Sequence, residues 1–147
     1  MCSSPVEALH FVFLGCGDIA AHHARRLASF PDVVLSFASR DHARAETFRR
    51  RTGGAKAYSS YEAAMGCDAV DAVVITTPPA QHLPLTLAAL TAGKDVIVEK
   101  PAFLHSTDVE VVQAAALANG RRVLVAENYA YKPLVSVLRN VIQTGDI

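Results

Sequence analysis

The residues most able to do chemistry begin at Gly15-Cys16-Gly17-Asp18-Ile19-Ala20, a G-x-G-x-x-A pattern set directly after an apolar run. Gly15 permits a tight turn, Gly17 lets main chain approach a pyrophosphate, and Ala20 lets a following helix lie close to a sheet. The start of that helix, from Asp18 and Ile19 onward, offers free N–H groups to an anion. At Cys16 the useful group is the main-chain N–H rather than the thiol. A second apolar run ends at Ser39-Arg40. An acidic residue there would bind the ribose 2′-hydroxyl of NAD. A hydroxyl followed by a guanidinium suits the 2′-phosphate of NADP, because Arg pairs with phosphate oxygens and stacks on adenine. Asp41 is the complication: it could reach the ribose, but as a helix N-cap it would be occupied with main chain. These residues point to a nicotinamide dinucleotide, with NADP favoured and NAD the alternative.

The elements that must position such a loop are legible as short apolar runs alternating with helix-like segments. Leu9 to Leu14 is a strand, apolar on both faces apart from His10. Asp18 to Ser29 is a helix closed by Pro31, and Val33 to Ala38 a second strand. Asp41 caps a helix to about Arg51, ended by Gly53-Gly54; Ala55 to Tyr58 is a weak third strand. Ser59 with Glu62 forms a capping box for a short helix. Ala69 to Ile75 is a strand, and Gln81 to Ala92 a helix with Pro84 in its first turn. Asp95 to Val98 is the fifth strand, and Thr107 with Glu110 caps the next helix, which stops at Gly120. Val123 to Ala126 is a sixth strand, and Pro133 to Gln143 a last helix before Gly145. Strands separated by helices predict right-handed crossovers and a three-layer α/β/α fold, with a doubly wound parallel sheet of about six strands.

Composition narrows the classes. The 147 residues suffice for one domain with a core, and 51% hydrophobic with 19% charged residues argues against disorder. Lys plus Arg and Asp plus Glu number 14 each, so no basic excess supports nucleic-acid binding. Cys2, Cys16 and Cys67 form no disulfide framework and no zinc pattern, which suits a reducing, cytoplasmic setting. The uncharged stretch from Ala72 to Gly93 is broken by Pro78, Pro79 and Pro84, so no membrane span is expected. His10, His22, His23, His42 and His105 have no metal-ligand spacing and are read as packing or surface residues.

Three further stretches complete a pattern: Thr76-Thr77-Pro78-Pro79-Ala80-Gln81-His82, Glu99-Lys100-Pro101 and Ala126-Glu127-Asn128-Tyr129. Together with the glycine loop they resemble the Gfo/Idh/MocA family of oxidoreductases, in order and over nearly the whole chain. The Glu-Lys-Pro tripeptide after an apolar strand is the most specific element. The resemblance implies that residues 1–147 form an N-terminal dinucleotide-binding domain of Rossmann type. It also implies a following α/β domain that supplies most of the substrate site, the oligomer interface and a catalytic His or Asp. That domain is absent from these residues.

Residue by residue, the resemblance carries over Gly15, Gly17, Asp18 and Ile19 as phosphate loop. Ser39 and Arg40 become the adenosine-ribose discriminator. Thr76, Thr77 and Pro78 form the loop beneath the cofactor, with His82 at the next helix and Pro79 where the family has a polar residue. Glu99 and Lys100 are the nicotinamide-side pair, and Asn128 lies near the same edge. Lys100 is expected to polarise or hydrogen-bond the substrate oxygen, and Glu99 to orient Lys100 or the nicotinamide. His82 could instead fill the helix start; Tyr129 and Tyr131 pack or cover the cofactor edge. The resemblance implies hydride transfer between a nicotinamide and a sugar, polyol or related hydroxy compound. The isolated chain is expected to bind NADP(H) weakly and to turn nothing over. The alternative from another class is a non-enzymatic, nucleotide-responsive binding module or accessory subunit. Self-association is also plausible.

Overall fold

A computed structural model describes residues 8–129 and 132–145; Cys2, Tyr131 and the final Asp146-Ile147 lie outside them. The strands are β1 (Leu9–Leu14), β2 (Val33–Ala38), β3 (Lys56–Tyr58), β4 (Ala72–Ile75), β5 (Asp95–Val98) and β6 (Val123–Val125). The helices are α1 (Asp18–Leu27), α2 (His42–Thr52), α3 (Tyr61–Met65), α4 (His82–Thr91), α5 (Ser106–Asn119) and α6 (Pro133–Thr144). All six strands are parallel, in the order β3-β2-β1-β4-β5-β6. Right-handed crossovers place α1 and α2 on one face and α3 to α5 on the other, so the winding reverses between β1 and β4.

The inner strands serve two cores because side chains alternate across the sheet. Phe13, Leu35, Phe37 and Val74 meet Ala20, Ala24, Ala45 and Phe48 on the α1–α2 face. Val12, Leu14, Val73, Ile75, Val96 and Val98 meet Ala64, Ala89, Leu90 and Val112 on the other. The small residues Ala20 and Ala24 are fully or almost fully buried, which seats α1 close to the sheet as the sequence implied. The Phe37 ring lies between those of Phe13 and Phe48, at centroid distances of 5.5 and 4.9 Å. The α1–α2 core spans β1 to β3 and reaches Val74 on β4, with Ile97 of β5 packed against it. On the far side Leu9, Phe11, Ala72, Ile97 and Leu124 line a groove of about 280 Å³ together with Asp71, Asp95 and Arg122. The amphipathic helix α6 buries no residue, leaving Leu134, Val137, Leu138 and Ile142 exposed.

Several boundaries differ from those read along the chain. α1 ends at Leu27 rather than Ser29, because the N–H groups of Ser29 and Phe30 turn back to Arg26 and Leu27. β4 starts at Ala72, since the Val70 N–H is tied to the Cys67 carbonyl before pairing begins. The short helix α3 is capped by Ser60, whose hydroxyl accepts the Ala63 N–H at 3.0 Å, not by Ser59. α5 opens at His105, whose N–H is accepted by Asp108 at 3.2 Å, in place of the Thr107–Glu110 box. A Ser/Thr-x-x-acid pattern fits several registers, and strand and turn geometry upstream selects one. No helix among the described residues is long and apolar enough to cross a membrane.

Phe37→Ala removes a fully buried ring from the middle of one core. It should cost about 3–5 kcal/mol in urea-unfolding free energy, whereas a change at Leu117, 83% exposed, should stay within about 0.5 kcal/mol.

Candidate functional site

The reversal between β1 and β4 opens a crevice at the carboxyl ends of the strands, and the loop after β1 crosses it. Gly15 takes φ +106°, and its N–H donates to the Ala38 carbonyl at 2.9 Å. A Cβ there would lie 2.9 Å from the Thr76 carbonyl oxygen, so a side chain is excluded by conformation and by space. Thr76 closes the contact from the other side: its hydroxyl donates to the Leu14 and Gly15 carbonyls, each at 3.1 Å. A Cβ on Gly17 would instead meet nothing within 4 Å. Gly17 is the N-cap of α1 and offers no side-chain cap, so the first N–H groups of the helix face the opening unclaimed by a side chain. Cys16 is buried with its thiol toward the Ala38 carbonyl at 3.7 Å. Burial pushes that thiol up to about 11, against the smaller opposing pull of Arg44.

A cleft of about 230 Å³ gathers Gly15, Cys16, Gly17, Ser39, Arg40, Thr76, Thr77 and Pro78, eight residues singled out from the sequence. It also holds Arg44, Tyr61 and Gln81, which the sequence reading missed. Arg44 sits in the first turn of α2, and its Nε donates to the Cys16 carbonyl at 3.1 Å. It thereby brings a guanidinium against the phosphate loop beside Ser39 and Arg40. Its only sequence signal is its position three residues after the Asp41 cap. Burial keeps the Tyr61 phenol protonated to higher pH, with Arg40 nearby opposing the shift. Asp41 accepts the N–H groups of Ala43 and Arg44 at 2.9 and 3.4 Å, so it is the N-cap of α2. Its main-chain N–H meets the Ser39 hydroxyl at 3.3 Å.

The remaining predicted residues do not line this cleft. Asp18 and Ile19 form the exposed first turn of α1, and Asp18 lines a neighbouring cleft on the α1–α2 side. His82 is 1% exposed, and both ring nitrogens are engaged by main chain. Nε2 meets the Thr77 carbonyl at 2.8 Å, while Nδ1 meets those of Pro101 and Ala102 at 3.0 and 3.2 Å. The buried ring sits between the two loops and donates to a carbonyl from the nitrogen that carries the proton. Glu99 is buried: Oε2 accepts the Lys100 N–H at 2.8 Å, and Oε1 lies 2.5 Å from His23 Nε2. His23 is thus a partner of a predicted site residue rather than a bystander. Lys100 itself is exposed and precedes a cis peptide to Pro101. Asn128 is exposed three residues beyond the end of β6.

The arrangement fits a dinucleotide. It offers a bare cradle at Gly17, an uncapped helix terminus, two guanidiniums beside a buried hydroxyl at Ser39, and a buried Thr77 hydroxyl without a partner among the described residues. No cluster of three potential metal ligands occurs among the described residues.

Residues 9–127 match the Gfo/Idh/MocA family profile, described as "Oxidoreductase family, NAD-binding Rossmann fold". The chain belongs to this family. Trans-1,2-dihydrobenzene-1,2-diol dehydrogenase of Mus musculus is 34% identical over 143 residues, which is 95% of this chain and 43% of the relative. dTDP-3,4-didehydro-2,6-dideoxy-α-D-glucose 3-reductase of Streptomyces violaceoruber is 36% identical over 152 residues, 97% of this chain and 42% of the relative. A 3-ketoreductase from Actinomadura kijaniata, solved in complex with NADP and TDP-benzene, superposes with a TM-score of 0.87 at 29% identity. That superposition covers 95% of this chain and 43% of the ketoreductase. The chain spans less than half the length of these relatives. The family and the six-stranded parallel sheet agree with what the sequence implied.

Two outcomes follow from the loop geometry. Gly15→Ala should lower unfolding free energy by about 1–3 kcal/mol, while Gly17→Ala should leave it nearly unchanged, as read by denaturant titration. Iodoacetamide at pH 8 should alkylate Cys67 before Cys16, as read by peptide mapping. Cys67 is half-exposed and held below the usual thiol range by the Tyr58 hydroxyl, whereas Cys16 is buried and remains a thiol until far higher pH.

Proposed function

We propose that this chain is the dinucleotide-binding portion of a nicotinamide-dependent oxidoreductase, with NADP(H) preferred to NAD(H). The observation that carries the cofactor preference is Arg40 and Arg44 converging on one end of the cleft with Ser39, while Asp41 is occupied as a helix cap. Two guanidiniums and a hydroxyl match the charge and donor needs of a 2′-phosphate, and an engaged carboxylate removes the acidic competitor. Among the structural neighbours one holds NADP and another NAD, so the preference rests on the cleft itself.

The α1 terminus and the main chain of Gly15 to Gly17 would hold the pyrophosphate. The Thr77 hydroxyl would gain a partner on the cofactor. The bound nicotinamide would supply hydride chemistry; the protein supplies position and proton handling. Lys100 Nζ is exposed and would donate a hydrogen bond to the substrate oxygen, while Glu99 holds the Lys100 main chain. His82 braces the two loops, and Asn128 stands at the outer edge of the nicotinamide side.

The substrate class is a sugar, polyol or related hydroxy or keto compound, in line with the diol and dTDP-keto-sugar named for the relatives. The groove over β4 to β6 and the apolar side of α6 are surfaces for the following domain or for a second subunit. The main proton-transfer residue belongs to that following domain. Unpaired Cys16 and Cys67 favour a reducing, cytoplasmic setting.

Nicotinamide fluorescence at fixed salt tests this reading. NADPH should bind about tenfold more tightly than NADH, and Arg44→Ala should weaken NADPH more than NADH and so narrow the difference. Preference for NADH would assign the ribose to Asp41 and overturn the NADP reading. Gly17→Ala should fold normally yet bind both forms more weakly, since its methyl would occupy the phosphate cradle.

A further inference from the structure

His23 and Glu99 are 76 residues apart and meet at 2.5 Å. Strand alternation explains how. Ile97 packs with the α1–α2 core and Val98 with the opposite one. Glu99, the next residue on the Ile97 side, faces α1. Its N–H donates to the Ile75 carbonyl at 3.0 Å, so the β4–β5 ladder still holds the main chain there. The carboxylate is left with 10% of its side-chain surface exposed, against 30% for His23. A carboxylate so enclosed needs hydrogen-bond donors, and two are supplied: the His23 ring to Oε1 and the Lys100 main-chain N–H to Oε2.

The two donors come from different parts of the site. His23 stands on α1 five residues after Asp18, about 7.5 Å along the helix axis from the terminus that faces the phosphate cradle. Lys100 opens the loop on the nicotinamide side. One carboxylate therefore ties the helix that holds the pyrophosphate to the main chain that carries the lysine. Nothing in the packing of α1 requires a histidine for this helix to seat: its buried contacts are Ala20 and Ala24.

We infer that His23 is a positioning residue for the nicotinamide side of the site, acting through Glu99 to fix Lys100 relative to α1. The inference rests on the dinucleotide reading above for its functional consequence. Its structural content, that His23 sets the Lys100 main chain, stands on the contacts alone. A neutral imidazole with the proton on Nε2 suffices for the bond, and so does an imidazolium. A glutamine amide reaches the same place, whereas leucine fills the volume without a donor.

The test compares the 147-residue chain with His23→Leu and His23→Gln. Each is titrated with NADPH and with 2′-phospho-ADP-ribose, which lacks the nicotinamide, and the Lys100 amide is followed by NMR hydrogen exchange. His23→Leu should weaken NADPH about tenfold and leave the fragment within about twofold, with faster exchange at Lys100. His23→Gln should restore most of the NADPH affinity and the slow exchange. Parallel loss of both ligands in a folded His23→Leu, or no loss of either, overturns the inference. If the unmodified chain binds no dinucleotide, the cofactor reading fails separately. The Lys100 amide then decides alone: unchanged exchange in His23→Leu overturns the inference, and faster exchange rescued by glutamine upholds it.

Discussion

The whole site hangs on the approach of two loops at the point where the sheet reverses its winding. β1 and β4 are neighbours although 57 residues of chain separate Leu14 from Ala72, with two strands and three helices between them. Where they end, Gly15 and Thr76 come so close that no side chain fits between, and the Thr76 hydroxyl binds the carbonyls on either side of that contact. The close approach bends the loop after β1 across the crevice and starts α1 with its N–H groups directed at the opening. Without it there is neither a cradle for an anion nor a fixed distance from the phosphate loop to the strand ends.

The rest of the site is tied to that contact through main-chain carbonyls and amides. His82 joins the loop after β4 to the loop after β5, and Glu99 joins the latter to α1. Arg44 joins α2 to the phosphate loop. Polar side chains that are buried or half-buried here do not face each other at random. Each bridges two segments that the strand order brings side by side but that no backbone ladder connects. Such bridges hold loops in register at the strand ends, where regular hydrogen bonding stops.

The opposite half of the molecule is less covered among the described residues. Past the α1–α2 core lies a groove that mixes Leu9, Phe11, Ile97 and Leu124 with Asp71, Asp95 and Arg122, and α6 presents its apolar residues outward. A parallel sheet is stable when both faces are covered.

The order of elements, the parallel sheet and the glycine turn after β1 were all readable along the chain. They are local: apolar runs of strand length, glycines at a turn, and a cap followed by a helix. The same reading placed the capping residues of α3 and α5 one or two positions away, because the pattern tolerates shifts that only the upstream turn resolves. His23, read as a packing or surface residue, and Arg44, not singled out, differ for another reason. Their partners, Glu99 and the Cys16 carbonyl, lie 76 and 28 residues away, and no spacing rule connects such positions. His82 was expected either at the site or filling the helix start, and only the packed loops show its ring enclosed between main-chain carbonyls. Local sequence thus decides which residues can bind a phosphate or cap a helix. Which charged and polar side chains meet is decided by strand order and by the alternation of faces, which set distances between residues remote in the chain.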